Sequence, residues 1–243
     1  MKIYVISLER AVERRSRVES VLAARGIEFE FFSAVNGFEG LPERLQALPD
    51  DQHRIRFRSR PLTPGEKGCY ASHFLLWEKC VELNEPILIL EDDFLPTQYF
   101  EEVLKTLPKV HEQYEYVKVE PQVGSATALT TIDNMQLMFW HNNSCWTTGY
   151  SISPQGARRL LAHSQRWLCS VDNFIGESYR TGLICTGLIP YAIYSPRDMG
   201  SDIQNQVELK KVPLGFKLTR ELYRFYRFIR MTLWNMKHCG GKS

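Results

Sequence analysis

Residues 87–93 read Ile87-Leu88-Ile89-Leu90-Glu91-Asp92-Asp93, and the fold follows from how this stretch changes character. After Pro86, four aliphatic residues in a row make a continuous apolar run, the pattern of a strand buried on both faces of a parallel sheet. The run ends abruptly in three carboxylates. Charges at the end of a buried strand repel one another and are costly to desolvate, and a divalent cation offsets that cost. Residues two apart on a strand face the same side, so Glu91 and Asp93 can converge on one ion. Oxygen-only ligands favour magnesium or manganese. In open α/β sheets ligands sit beyond the carboxyl ends of the strands, where this triplet falls. The same three residues also read as a helix-capping turn, with Asp93 capping the next helix.

The flanks supply the rest of the sheet. Residues 2–8 alternate and are β-branched, which predicts a strand. Residues 10–25 carry Val12, Val18, Val21 and Leu22 among charges and end before Gly26, a helix stopped by a glycine. Residues 27–35 predict a second strand, so the chain opens β-α-β. Residues 38–64 hold four prolines and read as an irregular surface excursion. Gly65–Leu83 predicts a helix with Tyr70, Phe74, Trp77 and Val81 near one face. Beyond the triplet come a helix over 97–107 and a strand over 115–120. Residues 121–144 show no decisive period. A strand over 146–153, a helix over 154–163 capped by Ser153 with Pro154 at its first position, and a strand over 183–194 follow. From Lys217 the pattern becomes a basic amphipathic helix. The expected fold class is α/β, a mostly parallel sheet flanked by helices over residues 1–215, with residues 216–243 as a membrane-associating tail.

Composition sets limits on function. Of 243 residues, 44% are hydrophobic and 24% charged, which provides a sizeable core and excludes disorder. A net charge of +2 does not mark a nucleic-acid binder. Cysteines at 69, 80, 145, 169, 185 and 239 show neither CxxC spacing nor a Cys/His zinc pattern. They read as reduced thiols in a cytoplasmic protein. The apolar run at the start is too short for a signal peptide. No stretch approaches the roughly 20 apolar residues that cross a bilayer, so any membrane contact is expected to be peripheral.

A second local feature is Thr63-Pro64-Gly65-Glu66-Lys67-Gly68-Cys69-Tyr70-Ala71-Ser72-His73. Two glycines at a helix start allow close backbone approach to a ligand, and a helix N-terminus favours anions. The segment reads equally as a tight turn into a packed helix, with His73 a core histidine. Together with the acidic triplet, and in order along the chain, these residues resemble the family 25 glycosyltransferases, which include galactosyltransferases of bacterial lipooligosaccharide synthesis. Further matches are Ile3-Tyr4-Val5-Ile6-Ser7-Leu8 with Arg14, Ala34-Val35-Asn36-Gly37, Thr148-Gly149-Tyr150, Gly156-Ala157, Val171-Asp172 and Ser201-Asp202-Ile203.

The resemblance implies a GT-A-like fold, a UDP-sugar donor, a divalent metal (manganese or magnesium) held by Glu91 and Asp93, and inversion at the anomeric carbon. It further implies that Ser7, Leu8, Arg14, Gly65, Glu66, Ser72, His73 and Asp92 border the donor, and that the acceptor is a lipooligosaccharide or lipopolysaccharide core. Arg14 also reads as part of a solvated helix face. An inverting transfer needs a base for the acceptor hydroxyl. Asp172 is the candidate, with His73 and Glu66 as alternatives; Asp172 reads equally as a helix N-cap.

In the tail, Leu218, Leu222, Phe225, Ile229, Leu233 and Met236 recur at helical spacing, with Arg220, Arg224, Arg227 and Arg230 opposite. This pattern predicts either a peripheral helix on an anionic membrane surface, at the inner face of the bacterial inner membrane, or a terminal helix docked on the body. Arg54, Arg56, Arg58 and Arg60 alternate with other residues and would share one face of an extended segment, either binding acceptor phosphates or standing in solvent. A metal-dependent phosphodiesterase or nuclease, and a non-catalytic sugar-nucleotide or membrane-binding module, are the competing functions. A nuclease would need further converging acids, and 91–93 is the one clear acidic cluster in the sequence.

Overall fold

A computed structural model describes residues 1–142, 146–196 and 214–239. In chain order the elements begin β1 (Lys2–Ser7), α1 (Val12–Ala23), β2 (Glu30–Ser33), α2 (Asp51–Arg58) and α3 (Pro64–Leu83). They continue with β3 (Ile87–Glu91), β4 (Leu95–Pro96), α4 (Phe100–His111), β5 (Tyr116–Lys118), β6 (Ala126–Ile132), β7 (Met135–Trp140) and β8 (Gly149–Ile152). The last are α5 (Pro154–His163), α6 (Val171–Gly176), α7 (Ser178–Thr181), β9 (Cys185–Ile189), β10 (Ile193–Tyr194) and α8 (Leu214–Cys239).

Eight strands form one sheet in the order β2-β1-β3-β8-β5-β9-β7-β6. β1 pairs in parallel with both β2 and β3, and β5 with β9. β8 lies antiparallel between β3 and β5. The sheet is buried on both faces, as the apolar run of β3 requires. Ile87 and Ile89 join Tyr70, Trp77, Leu160 and Phe174 in one core. Leu88 and Leu90 join Val18, Leu22, Phe100 and Val103 in the other. Helices α3, α5 and α6 therefore cover one face and α1 and α4 the opposite one, the α/β layering expected from the sequence.

α3 is fixed at its start by a full capping box. Thr63 accepts from the Glu66 backbone, Glu66 accepts from the Thr63 backbone, and Pro64 occupies the first turn. Residues 121–144, indecisive in sequence, hold the β6–β7 hairpin. Asp133 and Asn134 both take positive φ at its turn, a conformation those two residue types tolerate.

The stretch 38–64 is not wholly irregular. It holds a 3-10 turn over Glu43–Leu45 and the helix α2, whose N-cap Asp50 accepts from the His53 backbone at 2.9 Å. Helical folding disperses the four arginines expected to share a face. Arg54 and Arg60 pair with Glu66, Arg58 pairs with Glu177, and Arg56 is exposed. α8 docks along α2 and α7, and no described helix is long and apolar enough to cross a membrane.

Candidate functional site

The register of β1 against β3 sets Ile6 opposite Glu91, so the carboxyl ends of these neighbouring strands open side by side. A cleft lies there. Ser7, Leu8 and Arg14 line it from the β1–α1 side, Gly65, Ser72 and His73 from α3, and Glu91, Asp92 and Asp93 from the end of β3.

β3 ends at Glu91, and Asp92 and Asp93 follow in a turn that separates their roles. Asp92 is buried and turned toward α1: it accepts from Ser7 Oγ at 2.6 Å and Arg14 Nη1 at 3.2 Å, and its carbonyl accepts from Arg17 at 2.6 Å. Burial pushes its pKa above the usual carboxylate range, with Ser7 and Arg14 opposing. Asp92 thus clasps β3 to the β1–α1 connection, while Glu91 and Asp93 remain for the cleft.

Glu91 is held by one oxygen. Its Oε1 accepts from Thr147 Oγ1 at 2.7 Å and lies 3.2 Å from His73 Nε2 and 4.0 Å from Cys69 Sγ. The roles along this chain can be assigned. Trp77 Nε1 can only donate, and it donates to Tyr150 Oη at 2.9 Å. The tyrosine hydrogen is then left for His73 Nδ1, 2.9 Å away. His73 therefore carries its hydrogen on Nε2, aimed at Glu91. Burial raises the Glu91 pKa, but the His73 and Thr147 bonds and the Lys118 charge outweigh it, and the net direction is downward.

Asp93 has the opposite balance. Its Oδ2 accepts from Ser195 Oγ at 3.1 Å, while Oδ1 is buried without a partner among the described residues. Burial and then the Glu91 charge push its pKa up to about 6. An orphaned buried carboxylate oxygen beside a second carboxylate fits a hard divalent cation. Cys69, His73 and Glu91 also bring ligand atoms within 4.8 Å of one another. That trio suits a metal less well: His73 spends its Nε2 hydrogen on Glu91, and burial, Glu91 and Asp172 push the Cys69 thiol well up, away from thiolate.

The remaining expected residues fall into distinct environments. Gly65 lines the cleft, but Gly68 serves packing. A Cβ there would lie 2.4 Å from the Val35 carbonyl oxygen, and one on Gly37 would lie 1.8 Å from the Pro64 carbonyl oxygen. Ser72 continues this seam, accepting from the Val35 backbone at 2.9 Å and donating to the Gly68 carbonyl at 2.8 Å. Glu66 does not line the cleft: Arg54, Arg60 and the Thr63 backbone take its oxygens. Asp172 lies in the first turn of α6, outside the residues that line the cleft, and is not its N-cap, which is Ser170. It accepts from Asn173 Nδ2 at 3.2 Å and acts electrostatically on Cys69, as Glu91 does. The Ser201-Asp202-Ile203 match and Cys145 lie outside the described residues.

The sequence reading missed Thr147, Ser195, Cys69, and a buried pair beside the site. Lys118, fully buried in β5, donates to Gln122 Oε1 at 2.6 Å and stands 3.7 Å from Glu120. Burial pushes the Glu120 pKa up to about 7 against the opposing charge of Lys118. The signal was present: two opposite charges two residues apart in Tyr116-Val117-Lys118-Val119-Glu120, an otherwise apolar strand.

The family model described as "Glycosyltransferase family 25 (LPS biosynthesis protein)" matches residues 1–175. A glycosyltransferase 25 family member of Aedes aegypti is 33% identical over 193 residues, covering 71% of this chain and 30% of that one. Human procollagen galactosyltransferase 2 is 28% identical over 188 residues, covering 73% of this chain and 30% of its own length. Lipooligosaccharide biosynthesis protein lic2B of Haemophilus influenzae is 29% identical over 191 residues, covering 70% of this chain and 64% of its own. The chain thus spans under a third of the insect and human proteins.

Proposed function

The chain belongs to glycosyltransferase family 25, and we propose that it is an inverting hexosyltransferase that moves galactose from a UDP-sugar to a hydroxyl of a lipooligosaccharide core. The observation that carries the reading is the pair of cleft-lining carboxylates at the end of β3, one held by hydrogen bonds and one with a buried oxygen that has no partner among the described residues. The choice of galactose and of a glycolipid acceptor takes its support from the names of the human and Haemophilus relatives.

In this reading Glu91 and Asp93 would hold a divalent cation, which would supply positive charge for the departing nucleotide diphosphate. Thr147 and His73 fix the Glu91 carboxylate through Oε1. Ser7, Leu8 and Arg14 border the nucleotide, Arg14 being partly neutralised by Asp92. Asp172 takes the proton of the acceptor hydroxyl as the acceptor oxygen bonds to the anomeric carbon and the bond to the diphosphate oxygen breaks. The transition state is oxocarbenium-like, as in glycoside hydrolysis. Among the described residues that line the cleft the acids are those of the triplet alone, fewer than a two-metal nuclease uses.

A donor panel tests the proposal: hydrolysis and transfer from UDP-galactose, UDP-glucose and their N-acetyl forms, each with manganese and with chelator. Turnover of UDP-galactose above the others, dependent on manganese, is expected. A preference for a CMP- or GDP-sugar overturns the donor assignment, and undiminished turnover in chelator overturns the metal.

A further inference from the structure

α8 is docked the wrong way round for a helix that completes a core. Its body-facing side is polar and aromatic. Arg227 pairs with Glu177 at 2.7 Å and donates to Asn173 Oδ1 at 3.4 Å. Thr219 Oγ1 donates to the Arg56 carbonyl at 2.5 Å, and Asn235 Nδ2 to the His141 carbonyl at 2.9 Å. The Tyr223 ring packs against His53 and Phe57, and Arg230 covers Tyr179. The opposite side carries Leu218, Leu222, Phe225, Ile229, Leu233 and Met236, spaced by three and four residues as one stripe. These side chains are 40–68% exposed.

Charge decides what covers the stripe. α8 contains six Lys or Arg and a single acid, Glu221. By helical periodicity, Lys237 flanks the stripe on one side, and on the other Lys217 and Arg224 lie beyond Glu221, which pairs with Arg220 and Arg224. A second copy seated on the same stripe would bring like-charged borders together. An anionic bilayer accepts both parts: the apolar residues enter the acyl boundary while the basic side chains reach the headgroups. We propose that α8 is an interfacial helix, fixed to the catalytic body through its arginine side and seated on an anionic membrane through its apolar stripe. This assigns the arginines differently from the simple amphipathic picture, because Arg227 is spent on Glu177 and Arg224 is paired with Glu221 at 2.9 Å, so the headgroup contacts fall to Lys217 and Lys237.

The seating has a consequence for the site. α8 bonds Asn173, the neighbour of Asp172 in α6. A membrane under α8 therefore lies beside the element that carries the proposed base, which suits an acceptor anchored in that membrane. This consequence rests on the proposed function, whereas lipid binding itself does not.

The test uses the full chain in flotation with phosphatidylcholine vesicles, with and without phosphatidylglycerol. Wild type is expected to float with the anionic vesicles and less in high salt. The double variant Phe225→Ser/Leu233→Ser should lose about tenfold or more in partitioning, as expected for removing two buried apolar side chains. Its melting temperature and its hydrolysis of UDP-galactose should stay unchanged. Lys217→Glu/Lys237→Glu should reduce binding to anionic vesicles only. Equal flotation of wild type and the stripe variant overturns the proposal, as does a wild-type dimer in light scattering that the stripe variant abolishes, or early melting of that variant. Donor hydrolysis by a protein that does not float leaves the catalytic reading standing and this one refuted, and flotation without hydrolysis does the reverse.

Discussion

Replacing Asp93 by asparagine should stabilise the metal-free protein while removing its response to manganese. The wild-type carboxylate is held near pH 6 against an ordinary value of 3.8, first by burial and then by Glu91. A carboxyl whose folded pKa is raised binds its proton more tightly in the folded state, so stability falls as pH rises from 3.8 to about 6 and stays reduced above. A gap of about two pH units corresponds to a ceiling of about 3 kcal/mol near pH 7. Asp93 is only partly buried, and solvent screening brings the expected gain to about 1–2 kcal/mol. The amide retains an oxygen for Ser195 Oγ, so that contact is not lost. Urea unfolding of both proteins in chelator, at neutral pH and near pH 4, measures the effect. The gain should appear at neutral pH and shrink toward pH 4, and added manganese should raise the midpoint of wild type alone. A variant less stable than wild type in chelator, or one still stabilised by manganese, refutes the account of this pair.

Asp172→Asn should lower kcat sharply with little change in UDP affinity, because a base acts in the transition state; parallel loss of UDP binding in calorimetry would place Asp172 with the donor instead. Gly68→Ala should cost roughly 1–3 kcal/mol, since the new Cβ meets Val35 and Gly37 backbone atoms that must move; a wild-type melting temperature would show that the seam is loose. His111, buried against the Tyr114 carbonyl and Ser151, is pulled down to about 4 from 6.5. Its contribution to stability is intact above pH 6.5 and is lost as pH falls toward 4. Wild type should therefore lose about 3 kcal/mol more across that window than His111→Gln in urea titrations, and equal slopes would contradict it.

The parts of this fold that local chemistry dictates were legible in the sequence. The unbroken apolar run of β3, ended by three carboxylates, has the pattern of a strand buried on both faces, and Thr63-Pro64 with Glu66 is a helix start written in side chains. Pro154–His163 matched residue for residue because Ser153 and Pro154 fix its beginning. What long-range partners decide was not legible. Glu66 looked available to a ligand until Arg54 and Arg60 folded over it from a segment whose helix was hidden by a β-like alternation of arginines. The second glycine of the rich segment read either as a close approach to a ligand or as a turn into a packed helix, and its neighbour is the Val35–Gly37 backbone. For α8 the amphipathic pattern was plain, but it could not say that the arginine side, rather than the apolar side, would find the protein. Lys118 and Glu120 went unweighted because neither has meaning until the sheet brings Glu91 alongside.

The most direct test of the central claim is a calorimetric titration of UDP into the wild-type chain, once in chelator and once in manganese. If Glu91 and Asp93 hold a cation that assists nucleotide binding, manganese should tighten UDP binding by roughly 5–150-fold, the usual range for two coupled ligands, and Asp93→Asn should lose that increment. Equal UDP binding in chelator and in manganese, or no UDP binding in either, would contradict the account.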